Sequence, residues 1–152
     1  MGQELAHIAL VVDDYDRAIA WYSQKFGFDL VEDTPLSPEK RWVLMAPKGS
    51  SGCQLLLARA ASPDQSAAIG NQSGGRVFLF LHMDDHRGDV ARMKDRGVEF
   101  AREPEVQPWG TVAVFKDLYG NLWDLIQRNN QEAGTIQFSV PMKPDPSSGD
   151  QG

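Results

Sequence analysis

The sequence predicts an α+β fold made of two copies of one βαβββ unit, and three observations carry that prediction. Strand-type and helix-type hydrophobic periodicities run in the order β-α-β-β-β twice along 152 residues. The helix of each copy opens on an Asp-Asp pair, Asp13-Asp14 and Asp84-Asp85, and closes on a glycine, Gly27 and Gly97, at an offset of about 70 residues. Hydrophobic content of 41% over this length is enough for the core of one domain, or of two small fused ones.

Each element of the first copy has its own signature. Residues 5–12 are β-rich and apolar on both faces except at His7, the pattern of a strand covered on both sides. Asp13-Asp14 supplies N-cap side chains and negative charge at the positive end of a helix. Ile19, Tyr22 and Phe26 recur at helical spacing, with Ala18 and Trp21 widening the stripe. Gly27 takes the position after the helix, where positive φ is cheap only for glycine. Residues 28–33, 41–46 and 53–59 read as strands, separated by Pro/Ser/Gly-rich turns at 34–38 and 47–52. Residues 1–60 thus form a first module, and the polar, small-residue stretch 61–74 a linker.

Residues 75–128 repeat the order. A strand at 76–83 precedes a helix with Val90 and Met93 on one face and His86, read as a surface residue, in its first turn. Strands at 98–102, 111–116 and 122–127 follow, the last two joined by Asp117-Leu-Tyr-Gly-Asn121. Asp favours the start of a type I turn there, and Gly120 or Asn121 tolerates the left-handed conformation that closes a hairpin. Residues 129–152 are polar and read as a flexible tail, in which 135–140 alternates like a short strand able to join an edge or a partner subunit.

Composition excludes several partners. A net charge of −6 argues against nucleic acid and anionic membranes, which recruit a basic face. The single cysteine, Cys53, forms no internal disulfide, so folding needs no oxidising compartment, and its apolar surroundings suggest a small buried thiol. The first residues lack the basic and apolar regions of a secretion signal, and Ala6 stands where a myristoylation signal has Ser or Thr. No apolar run reaches membrane-spanning length, so a cytoplasmic setting is expected.

Five stretches, taken together and in order, carry a family resemblance: His7-Ile-Ala-Leu-Val-Val-Asp-Asp14, Ala18-Ile-Ala-Trp-Tyr22, Phe26-Gly-Phe28, Arg96-Gly-Val-Glu-Phe100 and Phe115-Lys-Asp-Leu-Tyr-Gly-Asn-Leu-Trp-Asp-Leu125. Spread over residues 5–127, they resemble the vicinal oxygen chelate superfamily of glyoxalases, bleomycin-resistance proteins and extradiol dioxygenases; Leu118 departs from its pattern, which usually has proline there. The resemblance implies two βαβββ modules curled into a half-open barrel around a pocket, a small-molecule ligand and a homodimer. It also implies that a divalent metal (Zn, Ni, Mn or Fe), where present, is held from the first and fourth strands of each module. Such a metal chelates a substrate through two adjacent oxygens and stabilises its anionic intermediate.

Carried over residue by residue, the pattern is incomplete. His7 falls on the first-strand ligand position, where imidazole suits these metals; a pocket-wall histidine fits the strand equally well. Asp124 falls on the last-strand position, usually Glu in metal-dependent members, and is the candidate catalytic carboxylate and ligand. A metal, His7 or a basic side chain would each satisfy it. Leu56 stands near the first module's fourth-strand position, with Gln54, a weak neutral donor, two residues earlier. The second module's first-strand position is Val77 or Phe78, neither of which ligates. His82 lies four residues past Phe78, about 13 Å along an extended chain, and is either a far pocket residue or an exposed one. Trp42, Leu56, Phe78, Phe80, His82 and Trp109 are the candidate pocket residues; Arg41 and Arg76 are either anion contacts or solvated strand ends.

Two functions follow. One is a metal-assisted lyase, isomerase or dioxygenase acting through His7, Gln54 and Asp124 on a small oxygen-bearing molecule; retention of both His7 and Asp124 favours it. The other is a metal-free binding or resistance protein, favoured by apolar Leu56 and Phe78 where ligands would stand. An interaction domain that keeps the fold without the pocket is a third. The fold hosts all three, so the site must decide.

Overall fold

Local chemistry sets the elements seen in a computed structural model, which describes residues 2–129. Asp14 is extended and its Oδ1 accepts the Arg17 N–H at 2.9 Å, opening α1 (Tyr15–Phe26) just after β1 (His7–Val12). Gly27, at φ 74°, closes α1 and donates its N–H to the Ser23 carbonyl at 3.0 Å. The strands β2 (Asp29–Pro35), β3 (Arg41–Ala46) and β4 (Gln54–Arg59) follow. A short helix, α2 (Pro63–Ala68), then forms within the stretch expected to be a linker, because Ser62 caps it and Pro63 starts its first turn.

The second set is β5 (Val77–His82), α3 (His86–Asp95), β6 (Glu99–Gln107), β7 (Gly110–Lys116) and β8 (Leu122–Arg128). The chain divides into two compact units between Gln72 and Ser73. In the first, the strand order is β1-β4-β3-β2; in the second it is β5-β8-β7-β6. The first and fourth strands of each unit run parallel and the remaining pairs antiparallel, so each unit is a βαβββ module. The α+β architecture expected from the periodicities is therefore present twice.

Helix α1 packs against β4, and α3 against β8. Alternation along the strands then decides what each face holds. Leu10, Val12, Leu55 and Leu57 are buried with Tyr22 and Ala18 of α1. Tyr22, Phe26 and Phe28 form an aromatic cluster with centroids 5.3–5.7 Å apart. In the second unit Phe115 stacks on Trp123 at 5.6 Å, with Ala113 and Leu125 buried beside them.

Several expectations need correction. Strand β1 is not covered on both sides: His7 and Ala9 are exposed and Val11 half-buried on the face away from the core. Cys53 lies just before β4 and is half-buried rather than enclosed. His86 is buried, 3% exposed, because the α3 N-terminus is tied down on β8: its Nε2 donates to the Leu125 carbonyl at 3.1 Å, and its N–H to Gln127 Oε1 at 2.8 Å. The strand expected at 98–102 extends through β6 to Gln107, pairing with β7 across two irregularities. The expected strand at 135–140 lies outside the described residues.

Candidate functional site

The cross-strand register places His7, Gln54 and Leu56 on one face of the first sheet, and Phe80, His82 and Asp124 on one face of the second. In the first unit His7 and Gln54 are direct partners across β1 and β4. The Trp42 ring meets the His7 ring edge-on at 5.8 Å. The next row on that face is Ala9, Leu56, Leu44 and Glu32, one residue from each strand. At the far end of the β3–β4 pair an open cleft of 780 Å³ is lined by Val11, Tyr15, Lys40, Trp42, Leu56 and Ala58. A smaller cavity of 300 Å³ lies at the near end, against His7, Gln54, Cys53 and Glu4.

The mouth of the large cleft is held by Arg41. Its side chain donates to Asp33 at 2.7 and 3.1 Å and to Asp16 at 3.0 Å, and its backbone N–H donates to the Tyr15 hydroxyl at 3.1 Å. The guanidinium also lies 5.0 Å from the Tyr15 ring centroid. These bonds hold the guanidinium well above its ordinary pKa and the Asp33 carboxyl below its own. Arg41 is thus neither an anion contact nor a solvated strand end; it joins the start of β3 to the first turn of α1.

In the second unit the corresponding row is Phe80, Asp124, Val114 and Arg102. Asp124 is half-buried, while its neighbours Trp123 and Leu125 are buried on the opposite face, as alternation requires. Burial pushes the Asp124 carboxyl above the usual carboxylate range, with Arg102 opposing the shift. Phe80 is 55% exposed, and His82 is exposed two residues further along the same strand face. Partial burial of its ring, and the Arg128 charge, hold the His82 pKa below the ordinary imidazole value. Trp109 is apart from this row, in the β6–β7 hairpin, where its carbonyl accepts the Asn129 N–H at 2.9 Å.

Register also resolves the partner of His7 in the repeat. His7 pairs with Gln54, and Val77 with Leu122 at the same ladder position, so Val77 is the equivalent residue. Phe78 sits at a register irregularity between Val77 and Leu79 and is the extra residue of β5.

The donor set does not fit a divalent centre of the family pattern. The first and fourth strands of the first unit offer His7 and the neutral Gln54, with Leu56 at the carboxylate position. Those of the second offer Asp124, facing Phe80, and His82 one row further along β5, opposite Ile126. Among the described residues no group of three or more His, Cys, Asp or Glu side chains is placed to hold a metal ion.

One residue that the sequence gave no reason to choose is Gln72. Its Oε1 accepts the Val11 N–H at 2.7 Å and its Nε2 donates to the Ala9 carbonyl at 3.1 Å. The side-chain amide thereby takes the place of a strand on the outer edge of β1. No local pattern signals a bond spanning 61 residues.

The comparisons agree with this architecture. The model of the Glyoxalase/Bleomycin resistance protein/Dioxygenase superfamily matches residues 4–125. An uncharacterised protein of Shewanella frigidimarina is 57% identical over 133 residues, covering 87% of this chain and 98% of its own. Among solved structures, UcmS2 aligns with a TM-score of 0.73 at 30% identity, over 83% of this chain and 98% of its own. TnmS3, an antibiotic binding protein from Streptomyces sp. CB03234, aligns with a TM-score of 0.68 at 32% identity, over 84% and 97%. A family match over residues 4–125, resting on a duplicated βαβββ scaffold, places this chain in the glyoxalase/bleomycin resistance protein/dioxygenase superfamily.

Proposed function

We propose that the protein binds a small planar, largely apolar molecule without a metal, as a binding or resistance protein rather than a metal-assisted lyase or dioxygenase. The 780 Å³ cleft in the first unit carries this reading. Its volume falls within the roughly 300–1,000 Å³ of drug-sized ligand sites, and it combines an aromatic wall, Trp42, with Val11, Leu56 and Ala58. The resemblance to TnmS3, whose described role is antibiotic binding, supports the same reading. Homodimerisation and a cytoplasmic setting belong to the proposal too; light scattering during size-exclusion chromatography reads the first. No described helix is long and apolar enough to cross a membrane.

Tryptophan fluorescence tests it in the presence of EDTA. Titration with planar aromatic compounds is expected to give saturable quenching, with affinity falling about tenfold in Trp42→Ala, the worth of one aromatic contact. Quenching that appears only after a divalent ion is added would support the enzyme reading built on His7, Gln54 and Asp124 instead, and quenching that ignores Trp42 would move the ligand out of the cleft.

A further inference from the structure

The second unit carries a feature that the cleft does not use. On the exposed face of its sheet, Asp124 stands directly beside Phe80 in a parallel pair, so both side chains project the same way. The Asp124 carboxylate has no hydrogen bond and no ion pair among the described residues; Arg102, two strands away in the same row, acts on it only through space. Phe80 is the most exposed aromatic ring of the described chain, and beyond it Ile126 and His82 continue the face. A half-buried carboxyl on an apolar strand costs stability when it has no partner. The equivalent position in the first unit is Leu56, beside Ala9, so the scaffold itself does not require a polar group there.

We propose that Phe80 and Asp124 form a ligand-orienting pair, the ring stacking on a planar aromatic molecule while the carboxylate accepts a hydrogen bond from its hydroxyl or N–H group. A neutral donor suits the site better than a cation, because Arg102 already supplies positive charge to the row. A carboxylate so placed discriminates strongly: an analogue lacking the donor leaves it desolvated and unpaired. The assignment rests on the metal-free binding reading above and names the ligand class that the second unit's own sheet face takes.

The test compares 2-naphthol with 2-methoxynaphthalene, equal in ring system but lacking the donor, by calorimetry on the full chain in EDTA. The wild type is expected to prefer 2-naphthol by about tenfold, the worth of a hydrogen bond to a charged group. Asp124→Leu is expected to abolish the preference and to raise the melting temperature; Asp124→Asn, of the same shape, is expected to keep the fold and lose most of the preference. Equal binding of both compounds by the wild type overturns the assignment and leaves the binding reading standing. A lowered melting temperature in Asp124→Leu, or an unchanged preference in either variant, also overturns it. If neither compound binds at millimolar concentration, the assignment and the binding reading fall together.

Discussion

His86 shows how a single side chain changes meaning when its surroundings are known. In the first turn of a helix it reads as a surface residue, because helix starts are usually wet. The structure instead seats it on β8, where its ring bonds the Leu125 carbonyl and its backbone N–H is taken by Gln127. Replacement by Ala removes a buried hydrogen bond and leaves a cavity, so His86→Ala is expected to lower stability by about 2–3 kcal/mol in a denaturant titration. A loss within a few tenths would mean that the ring contributes nothing. His82 makes the contrasting case. Partial burial and Arg128 depress its pKa, so the folded state favours neutral imidazole. Stability from this group is full above the ordinary imidazole value and is lost as pH falls through it toward the depressed one. His82→Gln is therefore expected to flatten the stability profile on the acid side of neutrality, read by melting temperature at stepped pH. At this scale, Asp14, Gly27 and the Asp117 turn were legible because their chemistry is local. Gln72 and the Arg41 bonds were not, since their partners are distant in sequence.

At the scale of elements, the periodicities located β3 to the residue and α1 with its caps, because capping and amphipathic spacing are written within one turn. Strand β5 resisted. The Asp-Asp pairs are offset by 71 and the closing glycines by 70, a mismatch that left Val77 and Phe78 as alternatives for the partner of His7. The register irregularity at Phe78 lies between Val77 and Leu79, so Val77 matches His7 while Phe80 matches Ala9. A bulge is set by pairing between strands and has no signature in the strand alone. The β7–β8 hairpin offers a sharper test of pairing. A Cβ on Gly110 would stand 2.2 Å from the Gln127 carbonyl oxygen, a backbone atom with no room to yield. Gly27 has open space around its Cα and only its positive φ to lose. Gly110→Ala is thus expected to cost more than about 2 kcal/mol, and Gly27→Ala about 1. The reverse order in thermal unfolding would contradict the β7–β8 register described above.

Across the whole molecule, the repeat is faithful in scaffold and unequal in chemistry. Both units keep the strand order, the capped helix and the parallel first–fourth pairing. The ligand positions diverge: His7 and Leu56 in one unit correspond to Val77 and Asp124 in the other. Sequence alone showed this divergence but could not weigh it, because two retained residues suggest a metal and two apolar ones suggest its loss. Register adds that Gln54, not a carboxylate, partners His7, and that Phe80 partners Asp124, the pairings on which the metal-free proposal is built. The most direct test is calorimetry with an aromatic ligand on two samples of the same protein, one stripped by EDTA and one equilibrated with Zn, Ni, Mn or Fe(II). Metal-independent binding predicts affinities equal within about twofold, since a ligand that touches no metal gains nothing from one. Binding or turnover confined to a metal-loaded sample would contradict it.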